Sequence, residues 1–144
     1  MKHINTNAPV QSTSSILINA HLKKVWTILT DINNWPTWNT DILRAKIDGP
    51  LHSGTSFDWK SGGVAIHSTL HTVEPHTHFG WYGKALGING INNWTLHSVD
   101  GKTQVSVAES MEGPLPSLLK KWLNKTLQKQ MQRWLAALRV ECEQ

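Results

Sequence analysis

Residues 113–140, GPLPSLLKKWLNKTLQKQMQRWLAALRV, decide the fold because they carry the longest amphipathic pattern in the chain. Lysines and glutamines alternate with apolar residues spaced three or four positions apart: Leu119, Trp122, Leu123, Leu127, Met131, Trp134, Leu135 and Leu138. This spacing gives a helix one apolar side and one polar side. Pro114 and Pro116 stop the preceding element, and Ser117 stands near the helix start. We therefore predict a long C-terminal helix from about 117 to 140 with an apolar side to bury.

The segment before this helix has the two-residue alternation of β-strands. Turn sequences such as Ser61-Gly62-Gly63 and Asp100-Gly101 separate the alternating stretches and are typical of hairpins. We predict strands at 10–18, 42–47, 55–60, 64–73, 78–84, 91–99 and 103–112. Strands joined by short turns pair antiparallel, and a twisted sheet of about seven strands curls.

A helical segment separates the first strand from the others. Leu22, Val25, Trp26 and Leu29 predict a short helix over 20–30, and Pro36 predicts a break followed by a second short turn of helix. The predicted class is α+β: a curved antiparallel sheet around the long helix, with two short helices after strand 1. We expect one domain over 10–140, preceded by a flexible N-terminal tail over 1–9.

Composition is consistent with one folded domain. Hydrophobic residues make up 39% of the 144 residues, which is too many for a disordered chain. The eight tryptophans are unusual for so short a chain. Tryptophan combines a large apolar ring with one N–H donor, so it suits both cores and ligand pockets. We assign most of the tryptophans to packing and expect the rest to line a cavity.

Cysteine content, apolar runs and net charge exclude several classes of protein. Cys142 is the only cysteine, so an internal disulfide or a cysteine metal cluster cannot form. The first residues lack the apolar run of a signal peptide, and no stretch approaches the roughly 20 apolar residues of a membrane span. We therefore expect a cytoplasmic location.

The net charge of +4 lies largely on the C-terminal helix, where a solvated face explains it better than a nucleic-acid surface. The oligomeric state is left open.

Short motifs follow one another in a specific order between residues 14 and 138. They are Ile18-Asn19-Ala20, Val25-Trp26, Asp31, Trp35-Pro36 with Trp38, Gly54 with Phe57, Trp81-x-Gly83, Trp94, Gly101-Lys102-Thr103, Val105, and Glu109 to Gly113. Their order and spacing resemble the helix-grip superfamily, which includes START lipid-transfer domains, the birch-pollen allergen family and bacterial polyketide cyclase/dehydrase-like proteins. The resemblance is greatest to the polyketide cyclase-like group.

This resemblance implies the helix-grip fold and a cavity between the sheet and the C-terminal helix. One position departs from the pattern, since many relatives carry a histidine just before the aromatic residue of the sixth strand. This chain has Asn92-Asn93 before Trp94, so the proton-transfer role of that histidine is not carried over. The superfamily includes transporters, cyclases, hydratases and regulators, and the fold alone does not select among them.

Glu109 is the candidate for chemistry, because it shares the apolar face of the last strand with Val107 and Met111. Burial of a carboxyl group raises its pKa and suits it to acid/base work or hydrogen bonding. The alternative is a structural carboxylate paired with an arginine or with backbone donors. The sequence contains no catalytic triad signature, phosphate loop or dinucleotide fingerprint, so we predict no cofactor.

The histidines do not predict a metal site. His67 and His71 lie about 13 Å apart along a strand, too far to share one ion, and we expect both to point outward. His76 and His78 have suitable spacing, but no third ligand accompanies them and Pro75 favours a loop.

Strand parity and helix spacing predict the cavity wall, with Asn92, Asn93 and tryptophan N–H groups as polar anchors. Trp35 and Trp38 are expected at the rim. The wall itself comprises Val64, Ile66, Leu70, Phe79, Trp81, Asn92, Trp94, Leu96, Val107, Glu109 and Met111 from the sheet, and Leu119, Trp122, Leu123, Leu127 and Met131 from the helix. The alternative is that these residues fill a dry core.

The leading functional hypothesis is a module that binds a hydrophobic small molecule, such as a lipid, a polyketide or an aromatic metabolite. The first alternative is a polyketide cyclase- or dehydratase-type enzyme with Glu109 as acid/base. The second alternative is an interaction module whose basic helix meets a macromolecular partner.

Overall fold

A computed structural model describes all of residues 1–144 and has one seven-stranded antiparallel sheet at its centre. The strands follow one another across the sheet in the order β1-β7-β6-β5-β4-β3-β2. β1 therefore closes one edge by pairing with β7, far along the chain. The strands are β1 (Val10–Ile18), β2 (Ile42–Ile47), β3 (Ser56–Ser61), β4 (Val64–Glu74), β5 (His78–Ala85), β6 (Ile88–Val99) and β7 (Lys102–Glu112).

Helices connect β1 to β2 and follow β7. The connection contains α1 (Leu22–Thr30), a 3-10 turn (Ile32–Asn34) and α2 (Trp35–Trp38), and β7 leads into α3 (Pro114–Leu118) and α4 (Lys120–Cys142). The buried side of α4 includes Leu127, Met131, Trp134, Leu135 and Leu138, and it packs within the curve of the sheet. The predicted α+β helix-grip architecture is confirmed, including the short helices after the first strand.

Two boundaries differ from the prediction by more than two residues. The C-terminal helix is not continuous from 117, because the backbone leaves the helical region at Leu119 (φ −108°, ψ 33°) and divides α3 from α4. β6 begins at Ile88 rather than at 91. Gly90 interrupts the alternation there, and a glycine weakens a strand signal in sequence.

An aromatic cluster fills the interior at the end of the domain that holds α2. The ring of Trp35 is fully buried and lies 5.0 Å from Trp134, 5.5 Å from Trp59 and Trp81, and 5.6 Å from Phe57, measured between ring centroids. Most of these contacts are edge-to-face, the geometry that aromatic pairs favour. Trp35 Nε1 also donates a hydrogen bond to the carbonyl of Leu29 (2.8 Å). This end is therefore densely packed.

The N-terminal segment lies against the outer face of the sheet. Asn93 Nδ2 donates to the backbone carbonyl of Lys2 (2.6 Å), and the backbone N–H of Asn5 donates to Ser110 Oγ (3.1 Å). The flexibility expected for residues 1–9 stays a prediction. These hydrogen bonds would have to break for the segment to move freely. No helix of the structure has both the length and the apolar composition needed to cross a membrane.

Candidate functional site

A cavity of about 460 Å³ lies between the inner face of the sheet and α4. The inner face contributes residues from β3 to β7, and α4 covers them from Trp122 to Trp134. The wall is mainly apolar, with few polar groups. Eleven of the seventeen residues predicted for the site line it, together with Val64: Ile66, Trp81, Asn92, Trp94, Val107, Glu109, Met111, Trp122, Leu123, Leu127 and Met131.

Six predicted site residues lie elsewhere. Trp35 is at the centre of the aromatic cluster rather than at the rim, and Trp38 packs against Trp134 with 5.8 Å between ring centroids. Leu70, Phe79 and Leu96 have the inward parity expected, but they are buried in the packed core. Leu119 falls at the break between α3 and α4 and faces outward. Parity along a strand predicts which face a residue occupies, but not whether that part of the interior is filled.

The polar centre of the cavity is a pair of side chains on neighbouring strands. Asn92 of β6 and Glu109 of β7 are directly opposed in the antiparallel ladder. Asn92 Nδ2 donates a hydrogen bond to Glu109 Oε1 (3.1 Å). The adjacent Asn93, predicted as a second anchor, points to the opposite face and holds the N-terminal segment. Alternation along β6 therefore divides the Asn-Asn pair between the cavity and the outer surface.

Burial raises the pKa of the Glu109 carboxyl group from its ordinary value of 4.5 to about 7, and the hydrogen bond from Asn92 opposes part of that rise. The side chain is largely removed from solvent but retains some accessible surface, because it borders the cavity. No cation lies within ion-pair distance of it. Glu109 is therefore neutral below about pH 7, and the alternative of a structural ion pair does not apply.

Two further polar atoms in the cavity wall lack partners. Trp94 Nε1 and Asn92 Oδ1 are buried and make no hydrogen bond within the protein. Leaving a buried polar group unpaired costs about 1–3 kcal/mol, so such groups mark positions where a ligand or a water is bound. By contrast, the indole nitrogen of Trp59 donates to Ser68 Oγ (3.0 Å). The donor at Trp94 and the acceptor at Asn92 thus belong to cavity-lining residues and are unsatisfied within the protein.

Sequence reasoning missed the mouth of the cavity and two glycines in its wall. Leu86 and Ile88, in and after the β5–β6 turn, line the cavity, as do Leu115 of α3 and Gln130 of α4. Gly83 and Gly90 also line it and lie opposite each other in the β5–β6 ladder. Inward parity at both glycines is the signal that would have revealed open space, because neither has a side chain to fill it.

The histidines lie away from the cavity. His67 is exposed and its Nδ1 is 2.8 Å from Asp58 Oδ1. His71 occupies a bulge in β4 and packs against Tyr82 on the outer face, with 4.9 Å between ring centroids. His78 pairs with Glu74 (3.2 Å), and His76 packs against Trp26 with 6.1 Å between centroids. The outward positions predicted for His67 and His71 match the structure.

A curved sheet closed over one long helix, with an apolar cavity between them, defines a helix-grip protein. The model of the family "Polyketide cyclase / dehydrase and lipid transport" matches residues 9–143. The chain therefore belongs to this family, as the motif series between residues 14 and 138 predicted. A sequence comparison with curated proteins gives no match.

Solved structures of several bacterial proteins share the fold. A hypothetical protein from Helicobacter pylori is 16% identical with a TM-score of 0.86, covering 99% of this chain and 97% of its own. A START superfamily protein from Mycobacterium smegmatis is 15% identical, with a TM-score of 0.76 and coverages of 92% and 97%. An aromatase/cyclase from Streptomyces sp. R1128 is 13% identical, with a TM-score of 0.82 and coverages of 92% and 93%. At these identities the similarity concerns the fold.

Proposed function

We propose that this protein binds a small, mostly apolar molecule, such as a lipid, a polyketide or an aromatic metabolite, in the cavity between the sheet and α4. The observation that carries the proposal is an apolar cavity of about 460 Å³ with one polar pair, Asn92 and Glu109, in its wall. Ligand pockets have volumes of roughly 300–1,000 Å³ and combine apolar walls with few polar anchors.

The polar groups indicate what the ligand carries. Below about pH 7 the carboxyl group of Glu109 is neutral, and it then has a proton to donate. Trp94 Nε1 is a free donor and Asn92 Oδ1 a free acceptor. A hydroxyl or carbonyl group on the ligand satisfies such groups without bringing a charge into the cavity. A carboxylate group on the ligand is disfavoured inside the cavity. The one cationic side chain of the wall is Lys84, which lies at the mouth.

Titration with 1-aminoanthracene, a neutral fluorescent aromatic amine, tests this proposal. We expect saturable binding of one probe per chain, with a blue-shifted emission typical of an apolar site. Glu109→Leu removes the polar anchor and is expected to weaken binding, whereas Glu112→Gln, an exposed change on the same strand, is the matched control and leaves affinity unchanged. Probe emission that rises without saturation, or equal affinity in both variants, would contradict the proposal.

Glu109 also favours a second candidate, an enzyme of the cyclase or dehydratase type. A carboxyl group with a pKa of about 7 is well matched to proton transfer near neutral pH. In a dehydration, its carboxylate takes a proton from the carbon beside a carbonyl and returns it to the departing hydroxyl group, which leaves as water while a carbon–carbon double bond forms. Asn92 would orient the carboxyl group.

A 3-hydroxyacyl thioester carrying an aromatic group tests this second candidate, since its dehydration creates a conjugated double bond with a new absorbance. The enzyme hypothesis predicts turnover by the wild type and none by Glu109→Gln, whose amide keeps the shape but cannot exchange the proton. Equal turnover in the two proteins would eliminate Glu109 as the acid/base. Probe binding in Glu109→Gln shows whether the cavity remains intact.

A further inference from the structure

The mouth of the cavity continues into an exposed apolar surface. We call Leu86, Leu118, Leu119 and Trp122 the mouth patch. The exposed fractions are 73% for Leu86, 80% for Leu118 and 62% for Trp122. Leu86 and Trp122 also line the cavity, and Leu118 and Leu119 lie between Trp122 and Leu115, another lining residue. A ligand leaving the cavity therefore meets apolar side chains before it meets water.

The backbone at Leu86 is unfavourable for a leucine. Leu86 and Gly87 form the two-residue turn between β5 and β6, with φ values of 46° and 75°. A two-residue hairpin turn with both φ values positive favours Asn-Gly or Asp-Gly, because a bulky side chain clashes there. Leucine in this position is thus costly for the backbone and, being exposed, gains nothing from burial. Such a residue at the rim of a site points to a role outside the isolated fold.

Most of the charges around the mouth patch are positive, and Glu112 is the exception. Lys120, Lys121 and Lys125 are exposed on the first turns of α4, and the exposed Lys84 is the second-last residue of β5. No acidic residue occurs between Glu112 and Glu141. Glu112 is hydrogen-bonded by Asn5 of the N-terminal segment. Lysines at a helix N-terminus oppose the helix dipole, and α4 has no capping side chain there. The positive potential is therefore concentrated where it does not stabilise the fold.

We propose that the mouth patch docks on the surface of an anionic lipid bilayer. Exposed leucine and tryptophan beside a group of lysines is the composition that partitions into the headgroup region, where lysines attract anionic lipids. Leu86, Leu118 and Trp122 enter the bilayer surface, and the mouth of the cavity then faces the acyl chains. Direct exchange of an apolar ligand with the bilayer rests on the proposed function, whereas the docking itself does not.

Flotation with vesicles tests the docking. We expect the wild type to bind vesicles of phosphatidylcholine with phosphatidylglycerol at low salt, to bind pure phosphatidylcholine at least tenfold less, and to dissociate as salt rises. Leu118→Gln and Leu86→Asn should each lower the partition coefficient several-fold. Leu43→Thr is the matched control, since Leu43 is 62% exposed but lies on β2 at the far edge of the sheet. Its partition should equal that of the wild type.

Brominated lipids add a positional readout. Bromine quenches nearby indoles, and Trp122 is the exposed tryptophan of the patch, so quenching should occur in the wild type and be lost in Trp122→Phe. Absence of binding to anionic vesicles, equal binding to neutral ones, or equal binding by Leu118→Gln would overturn the docking. A self-associated wild type that Leu118→Gln renders monomeric would overturn it too, because a second copy would then cover the patch.

The outcome is separable from that of the proposed function. Leu118 lies outside the cavity wall, so Leu118→Gln should bind 1-aminoanthracene in solution like the wild type while losing vesicle binding. If the wild type binds vesicles but no probe, the docking stands and the proposed function fails. If the wild type binds the probe but no vesicles, the proposed function stands and the docking fails.

Discussion

The interior of this domain has two ends that share one sheet and one helix but are filled differently. At one end, the rings of Phe57, Trp59, Trp81 and Trp134 surround Trp35 and leave little space. At the other end a cavity of about 460 Å³ remains. The helix-grip fold therefore does not itself decide whether a cavity exists; the side chains on the inner face decide it.

The β5–β6 ladder contains this change within three inward-facing pairs. Phe79 opposes Trp94, Trp81 opposes Asn92, and Gly83 opposes Gly90. The first pair places two aromatic rings on the inner face, the second places a ring beside a side-chain amide, and the third has no side chains at all. The layer of side chains on the inner face therefore becomes thinner towards the mouth. The polar pair of Asn92 and Glu109 lies in the middle row, where packing gives way to open space. A ligand that fits this gradient places its polar group part-way along an apolar body.

The largest expected effect is at the packed end. Trp35→Ala removes the ring at the centre of the aromatic cluster, and truncations of this kind cost about 3–5 kcal/mol of unfolding free energy. Urea denaturation followed by circular dichroism measures it. Trp122→Ala is the control at the open end, since its exposed side chain leaves stability within about 1 kcal/mol of the wild type. Equal losses would mean that the two ends are packed alike.

Stability should depend on pH through Glu109. Because its pKa rises from 4.5 to about 7 on folding, both states hold the proton at low pH and stability is complete there. As pH rises from 4.5 to 7 the unfolded chain ionises first, and stability falls by up to about 3 kcal/mol, since a tenfold change in proton affinity corresponds to about 1.4 kcal/mol.

Glu109→Gln removes this dependence, so it should be more stable than the wild type at pH 8 and closest to it at pH 5. Urea denaturation at four pH values measures the difference, with Glu112→Gln as the exposed control on the same strand. A parallel pH profile for the wild type and Glu109→Gln would show that the carboxyl group is solvated like an exposed one.

Filling the open end should separate binding from stability. In Gly90→Leu, a Cβ would lie 3.6 Å from the Ser110 carbonyl oxygen, an ordinary contact, and the side chain would project into the cavity. We expect 1-aminoanthracene affinity to fall at least tenfold, or about 1.4 kcal/mol, while unfolding free energy changes by less than about 1 kcal/mol. Unaltered affinity would place the probe outside this cavity.

The smallest expected effect is at the mouth. Leu86→Asn puts a residue that tolerates positive φ into the β5–β6 turn, so the unfolding free energy should rise by about 0.5–1 kcal/mol. Thermal unfolding measures it, with Leu43→Thr as the control, since Leu43 is an exposed leucine whose φ is not positive. A loss of stability would mean that Leu86 is supported by packing in the free protein.

The sequence was sufficient for the fold because its signals are local and repeated. The spacing from Leu119 to Leu138 predicts one helix face, and the turns at Gly62-Gly63 and Gly101 separate the strands. It missed the break at Leu119, since leucine fits the helical pattern on both sides of it.

The site was predicted only in part. The face of the sheet on which a residue lies and the presence of open space beside that residue are separate properties. Parity correctly put Asn92, Trp94 and Glu109 on the inner face beside the cavity. It gave the same face to Leu70 and Leu96, which are covered by groups distant in sequence. Which inward residues meet open space depends on α1, α2 and α4 together, and no single strand carries that information.

The indole N–H resonances of the eight tryptophans test the central claim most directly, because the two ends differ in their hydrogen bonds. Trp35 Nε1 donates to Leu29, whereas Trp94 Nε1 has no partner and belongs to a residue that lines the cavity. In a ¹⁵N–¹H titration with 1-aminoanthracene, we predict that the Trp94 indole resonance shifts and saturates at one equivalent while that of Trp35 does not move. An unmoved Trp94 resonance with saturable binding would contradict a ligand site in this cavity.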